Sequence, residues 1–160
     1  MTTVVLHTKK LSVEPIGSVS EEIIEKMIQI EKKAFAEGGL HNEWLMVPFI
    51  RYGRVFTAKV DNEIVGCAQF MREWNNPETA YFYGVSMLPE YRGGGLGTAF
   101  LKEILALIKF DGIIKIILSV SPENKAAIHI YKHKLGFVER YSAPNEYGCG
   151  EDRLIMELTL

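Results

Sequence analysis

Tyr83-Gly-Val-Ser-Met-Leu-Pro-Glu-Tyr-Arg-Gly-Gly-Gly-Leu-Gly-Thr-Ala-Phe-Leu101 is the stretch on which the reading of the whole chain turns. An extended run ends at Pro89, glycines crowd positions 93 to 97, and an amphipathic pattern begins at once. A turn of this kind aims several backbone N–H groups at one point, with the positive end of a helix dipole behind them. The guest that suits it is a phosphate or pyrophosphate. Gly93, Gly95 and Gly97 carry no Cβ, so an oxyanion can approach the main chain closely.

Working outward from the turn, Leu96 to Phe110 reads as a helix, with Leu96, Phe100, Leu101, Ile104, Leu105 and Ile108 on one face. Upstream, Ala80 to Leu88 reads as a strand of aromatic and branched residues, preceded by a turn over Trp74 to Glu78. Arg54 to Val60 and Glu63 to Phe70 form two more strands, joined by a tight hairpin at Asp61-Asn62. Further back lie extended pieces at Val4 to Thr8 and Leu11 to Pro15, then a helix from Glu21 capped by Ser18 or Ser20. Glu37-Gly38-Gly39 breaks that helix, and a short second one spans Glu43 to Arg51, its later part strained by Pro48. Downstream come a strand at Ile113 to Val120, apolar enough for burial on both faces, and a helix from Asn124 to Lys134 stopped by Gly136. Phe137 to Tyr141 and Leu154 to Leu158 close the order. It specifies one α/β domain over residues 1–160, with a mixed, mostly antiparallel central sheet flanked by helices.

Three known kinds of glycine turn compete. An NTPase phosphate loop ends in Gly-Lys-Ser/Thr, and Gly97-Thr98 has no such lysine. A dinucleotide fold places its turn after the first strand of a βαβ unit, whereas this one follows an antiparallel meander past mid-chain. The third fits: Arg92-Gly-Gly-Gly-Leu-Gly97 resembles the Arg/Gln-x-x-Gly-x-Gly/Ala signature of the GCN5-related N-acetyltransferase (GNAT) superfamily. Met87-Leu-Pro-Glu-Tyr91 is similar to that family's lead-in. A glycine turn that merely joins strand to helix is the remaining alternative. A second segment, Asn124-Lys-Ala-Ala-Ile-His-Ile-Tyr131-Lys-His-Lys-Leu-Gly136-Phe137, resembles the superfamily's Asn-x-x-Ala-x-x-x-Tyr-x-x-x-Gly-Phe motif. Seven residues separate Asn124 from Tyr131, about two helical turns along one stripe.

The resemblance implies a GNAT fold and acetyl-CoA as co-substrate. It implies contacts to that molecule from Val85, Ser86, Met87, Arg92, Gly93, Gly94, Gly95, Leu96, Gly97, Thr98, Asn124 and Tyr131. The turn would hold the pyrophosphate, the strand at Val85 to Met87 would splay to receive the pantetheine arm, and the Met87 N–H would polarise the thioester. Tyr131 is then the catalytic candidate, the acid that protonates the leaving thiolate; a core aromatic is its other reading. Asn124 suits a helix cap equally well. A thioester is already activated, so no metal is required.

The resemblance leaves the base open among Glu37, His41, Glu43, Glu73 and ordered water. His129 and His133 stand one helical turn apart without a further ligand-type residue in the pattern, which favours chance spacing over a metal site. The acceptor wall is expected from Phe35 to Arg51, Trp74 and Tyr141 to Gly150, whose aromatics and acids suit a small-molecule amine. The last strand is similar to that of the protein N-terminal acetyltransferase branch. That branch carries a glutamate before the asparagine motif, and here Ser119 stands in its place.

Composition sets the outer limits. Hydrophobic residues make up 48% and charged residues 24% of the 160, a balance typical of a soluble globular domain. A net charge of −2 argues against nucleic acid as partner. No apolar run nears the roughly 20 residues of a membrane span, and no signal-peptide core opens the chain. Two cysteines, Cys67 and Cys149, make no disulfide framework; Cys67 reads as a buried thiol. The expectation is a cytoplasmic enzyme, with a homodimer admissible.

Overall fold

The computed structural model describes residues 2–6, 9–35 and 42–160. The chain divides into two compact units, Met1–Met71 with Gly84–Ile104, and Arg72–Tyr83 with Leu105–Leu160.

The first unit opens with strands β1 (Thr2–Leu6) and β2 (Lys9–Pro15). Helix α1 (Glu21–Phe35) follows, its start fixed by Ser20, whose Oγ accepts from the Ile23 N–H at 3.2 Å. Glu21 and Glu22 in its first turn and Lys32 and Lys33 in its last complement the helix dipole. The expected break at Glu37 to Gly39 lies outside the described residues. Helix α2 (Glu43–Tyr52) is capped by Asn42 and contains Pro48. The proline removes only the N–H that would have met the carbonyl of Trp44, and it does so on an exposed face.

Strands β3 (Arg54–Val60) and β4 (Glu63–Arg72) pair antiparallel from Arg54↔Phe70 to Val60↔Glu63. The hairpin closes through Asp61 and Asn62, both at positive φ (51° and 71°), the pattern of a type I′ turn. Strand β5 (Thr79–Met87) runs through both units. The strand order of this unit is β1-β2-β3-β4-β5, with β2 also antiparallel to β3. Leu11, Val13, Met27, Ile30, Phe56 and Phe100 are fully buried there.

The second unit continues from β5 in the order β5-β6-β8-β7. Helix α3 (Leu96–Phe110) returns the chain, so β6 (Lys115–Val120) lies parallel to β5, from Thr79↔Lys115 to Phe82↔Leu118. Strands β7 (Val138–Ala143) and β8 (Arg153–Thr159) are antiparallel to each other, and β8 to β6. Two expectations are corrected here. Strand β6 is buried on one face only: Ile116, Leu118 and Val120 are covered, while Lys115, Ile117 and Ser119 are half-exposed. The helix after it is α4 (Lys125–His129) for little more than one turn, then widens into a π-helix over Ile130–Leu135. The even 3.6-residue stripe expected from Asn124 to Tyr131 is therefore interrupted. No helix among the described residues is long and apolar enough to cross a membrane.

One glycine is dictated by close approach. A Cβ on Gly66 in β4 would meet the Met87 Sδ and lie 2.8 Å from the Ser86 carbonyl oxygen. The sulfur can swing aside, whereas the strand backbone cannot. Gly66→Ala is therefore expected to destabilise the fold by about 1–3 kcal/mol, as overpacking does. A lowered urea midpoint would show it; an unchanged midpoint would mean that β5 is free to shift.

Candidate active site

In the first unit, β5 ends in Val85, Ser86 and Met87, and the glycine turn follows a single 3₁₀ turn at Pro89–Tyr91. Gly93 and Gly95 both adopt φ of 81°, a backbone that only glycine takes cheaply. A Cβ at Gly93, Gly94 or Gly95 would meet nothing within 4 Å. These three positions are exposed and face no protein atom, directly before the first turn of α3. That helix starts on the Ala99 N–H to Gly95 carbonyl bond (3.0 Å). Leu96 is buried beneath the turn, and Gly97 and Thr98 are half-exposed.

Arg92 fixes the turn. Its Nε donates to the Met87 carbonyl at 3.0 Å and its Nη2 to the Ala34 carbonyl at 2.9 Å, joining the turn to the end of β5 and to α1. Two of its five donors therefore serve the scaffold. The Leu88 N–H donates to the Val65 carbonyl at 2.9 Å, anchoring the strand just past Met87.

Behind this strand sits a polar cluster that the sequence reading did not single out. Glu31 on α1 is buried, and its Oε1 receives Gln69 Nε2 at 2.5 Å, Ser86 Oγ at 3.4 Å and Cys67 Sγ at 3.8 Å. The signal was present: Glu31 lies four residues after Met27, on the apolar stripe of its helix. Burial, followed by the Glu31 charge, pushes the Cys67 thiol well above its ordinary range. It stays protonated, which makes it a poor nucleophile.

The second unit holds the other residues singled out above. Asn124 is the N-cap of α4, its Oδ1 accepting from the Ala127 N–H at 3.1 Å. Tyr131 is the second residue of the π-helical stretch, a departure from α-geometry that recurs at functional sites. Its ring packs edge-on to Phe82 (5.9 Å) and tilted against Phe137 (5.8 Å). Burial pushes its hydroxyl up to about 12, so it is a hydrogen-bond donor at neutral pH. The structure thus gathers Val85 to Met87 with Arg92 to Thr98 in one unit, and Asn124 with Tyr131 in the other.

Three hydroxyls that the sequence did not connect also meet in the second unit. Tyr81 Oη lies 2.8 Å from Ser119 Oγ and 3.0 Å from Tyr147 Oη, and the last two are 3.4 Å apart. Only the tertiary fold brings positions 81, 119 and 147 together, so no local pattern could have shown it. Of the candidate bases, Glu37 and His41 lie outside the described residues, while Glu43 and Glu73 are exposed. The His129 and His133 rings lie 4.8 Å apart, and among the described residues no group of three or more ligand-type side chains could hold a metal ion.

Known proteins resemble the chain in sequence and in fold. An N-alpha-acetyltransferase of Sulfurisphaera tokodaii is 31% identical over 115 residues, 66% of this chain and 68% of that protein. An L-2,4-diaminobutyric acid acetyltransferase of Nocardia farcinica is 29% identical over 79 residues, which cover 49% of this chain and only 41% of that protein. The crystal structure of the ribosomal-protein-S18-alanine N-acetyltransferase of Escherichia coli superposes with a TM-score of 0.77 over 93% of both chains, at 22% identity. The profile of the Acetyltransferase (GNAT) family matches residues 24–137. The profile spans more than half of the chain, and the chain belongs to the GNAT family of acetyltransferases.

Proposed function

We propose that the protein transfers an acetyl group from acetyl-CoA to a primary amine by direct attack on the thioester. The observation that carries this reading is the glycine turn, open to a guest at Gly93, Gly94 and Gly95 and backed by the start of α3. Two or more N–H groups of residues 93 to 98 would hold the pyrophosphate, helped by the helix dipole. The segment Val85 to Met87 would take the pantetheine arm, with the Met87 N–H directed at the thioester oxygen. Tyr131 would donate to the departing sulfur, and Asn124, whose Oδ1 caps α4, would support that end of the molecule. A covalent relay through Cys67 is disfavoured by its protonated, buried thiol.

The sequence favours a small-molecule amine as acceptor, and a relative named for diaminobutyric acid supports that class. A polypeptide α-amine is the second reading, supported by the relative named for N-alpha-acetylation. The experiment is thiol release from acetyl-CoA in the presence of polyamines, amino acids, aminoglycosides and peptides, with products read by mass spectrometry. N-acetylated product with matching coenzyme A is expected. Acetyl-CoA bound without release of thiol would leave an acyl-CoA-binding module, and an O-acetylated product would move the acceptor class to hydroxyls.

A further inference from the structure

The buried cluster around Glu31 serves none of the steps above, yet all of its members lie in the first unit with the glycine turn. Three elements meet at its carboxylate. Helix α1 supplies Glu31, β4 supplies Gln69 and Cys67, β5 supplies Ser86, and all four side chains are buried. Position 31 lies beside Met27 and Ile30 on the covered face of its helix. A methionine or leucine there would be buried with a gain, whereas a carboxylate is buried at a cost. What the acid adds is direction, because it accepts only at its oxygens and so holds each donor at a set place.

The group it directs is the end of β5. Gln69 Nε2 meets Glu31 Oε1 at 2.5 Å, and Ser86 Oγ donates to the same oxygen at 3.4 Å. The Gln69 carboxamide also reaches β5, its Oε1 lying 3.4 Å from where a Cβ on Gly84 would stand. Ser86 and Met87 share one planar peptide unit, so the placing of Ser86 sets where the Met87 N–H points. The carbonyl edge of that plane packs on β4, where a Cβ on Gly66 would lie 2.8 Å from the Ser86 oxygen. Its far side is held by Arg92, which donates to the Met87 carbonyl and to the Ala34 carbonyl of α1. Ala34 and Glu31 are about one turn apart on that helix. Helix α1 thus grips the plane from both sides, through Glu31 at Ser86 and through Arg92 at Met87.

We infer that Glu31 is a positioning residue for acyl transfer, fixing through Ser86 the peptide plane that carries the Met87 N–H. This role presupposes the proposed transferase function and adds to it a residue that acts through another. A donor held in place before charge develops on the thioester oxygen stabilises that charge more than one that must turn to reach it. A tilt of the plane leaves the glycine turn anchored by Arg92 to α1. The loss therefore falls on kcat and not on acetyl-CoA affinity.

The test separates positioning from packing, with acetyl-CoA labelled by carbon-13 at the thioester carbonyl. Glu31→Met keeps the chain length and removes the acceptor, so both melting temperature and kcat should fall. Glu31→Met combined with Gln69→Met strips both polar partners at similar volume and should regain most of the melting temperature. In that double variant kcat should stay about 10- to 10²-fold below wild type, with acetyl-CoA affinity within about threefold. Infrared spectra should place the labelled carbonyl of bound acetyl-CoA below its free frequency in the wild type, and back toward the free value in the double variant. Glu31→Gln keeps an accepting oxygen and should keep most of the wild-type shift. A double variant with wild-type kcat or wild-type carbonyl frequency would overturn the inference and leave Glu31 a core residue. If the double variant does not fold, Ser86→Ala breaks the same link from the other end, and a wild-type carbonyl frequency there would overturn it equally.

The infrared measurement needs bound acetyl-CoA but no turnover. A wild type that binds acetyl-CoA and acetylates no amine would remove the transferase reading, and the carbonyl shift alone would then decide the role of Glu31. A wild type that does not bind acetyl-CoA would overturn both.

Discussion

Gly95→Glu should abolish measurable acetyl-CoA binding in a protein that still folds. The position has φ of 81° and open space beyond its missing Cβ, so a side chain there projects into the region proposed for the pyrophosphate. The variant adds an anion against an anion and displaces backbone donors. Charge-assisted hydrogen bonds contribute about 1.5–3 kcal/mol each, so the loss of two predicts an affinity lower by about 10²–10⁴-fold. Gly95→Ala separates strain from charge. It carries the same backbone cost without the carboxylate, and its calorimetric affinity should fall about tenfold or less. Equal losses in the two variants would assign the effect to a deformed turn, and near-wild-type affinity in Gly95→Glu would remove the pyrophosphate from this turn.

The second large effect is expected at Tyr131. Tyr131→Phe removes one oxygen and keeps the ring contacts to Phe82 and Phe137, so melting temperature and acetyl-CoA affinity should barely change. The kcat should fall about 10²-fold, the lower end for general-acid assistance. The pKa sets that limit. A hydroxyl at about 12 is a weaker acid than a thiol near 8.5, so it steadies the departing sulfur by donation rather than by driving full proton transfer. The raised pKa also fixes the sign of the pH dependence. The proton is held below pH 10 and lost only as pH climbs through about 12, so Tyr131 should contribute no alkaline decline in kcat at ordinary pH. Full kcat in the phenylalanine variant would make Tyr131 a packing residue.

Much of the fold was legible because local chemistry and tertiary structure agree. Arg54–Val60 and Leu96–Phe110 appear with the bounds their periodicity gives, and Asp61-Asn62 makes the turn its residues favour. The readings fail where packing overrides pattern. Ile113 to Val120 is apolar enough for two buried faces, yet one face carries Ser119 into the cluster of three hydroxyls. Residues Asn124 to Lys134 have helical spacing, but the turn around Tyr131 widens to π-geometry, which periodicity cannot register. The glycine turn was readable because its chemistry is contiguous. The buried Glu31 cluster and the three hydroxyls were not, because each gathers residues from several distant segments.

The central claim is direct acetyl transfer from coenzyme A to an amine nitrogen. It is tested most directly by mass spectrometry of the intact protein and of the small-molecule products through a single turnover with acetyl-CoA and a free amine that serves as acceptor. The account predicts one N-acetylated amine for each coenzyme A released, with the protein mass unchanged throughout. An acetylated protein that forms first and then decays as product appears would contradict it.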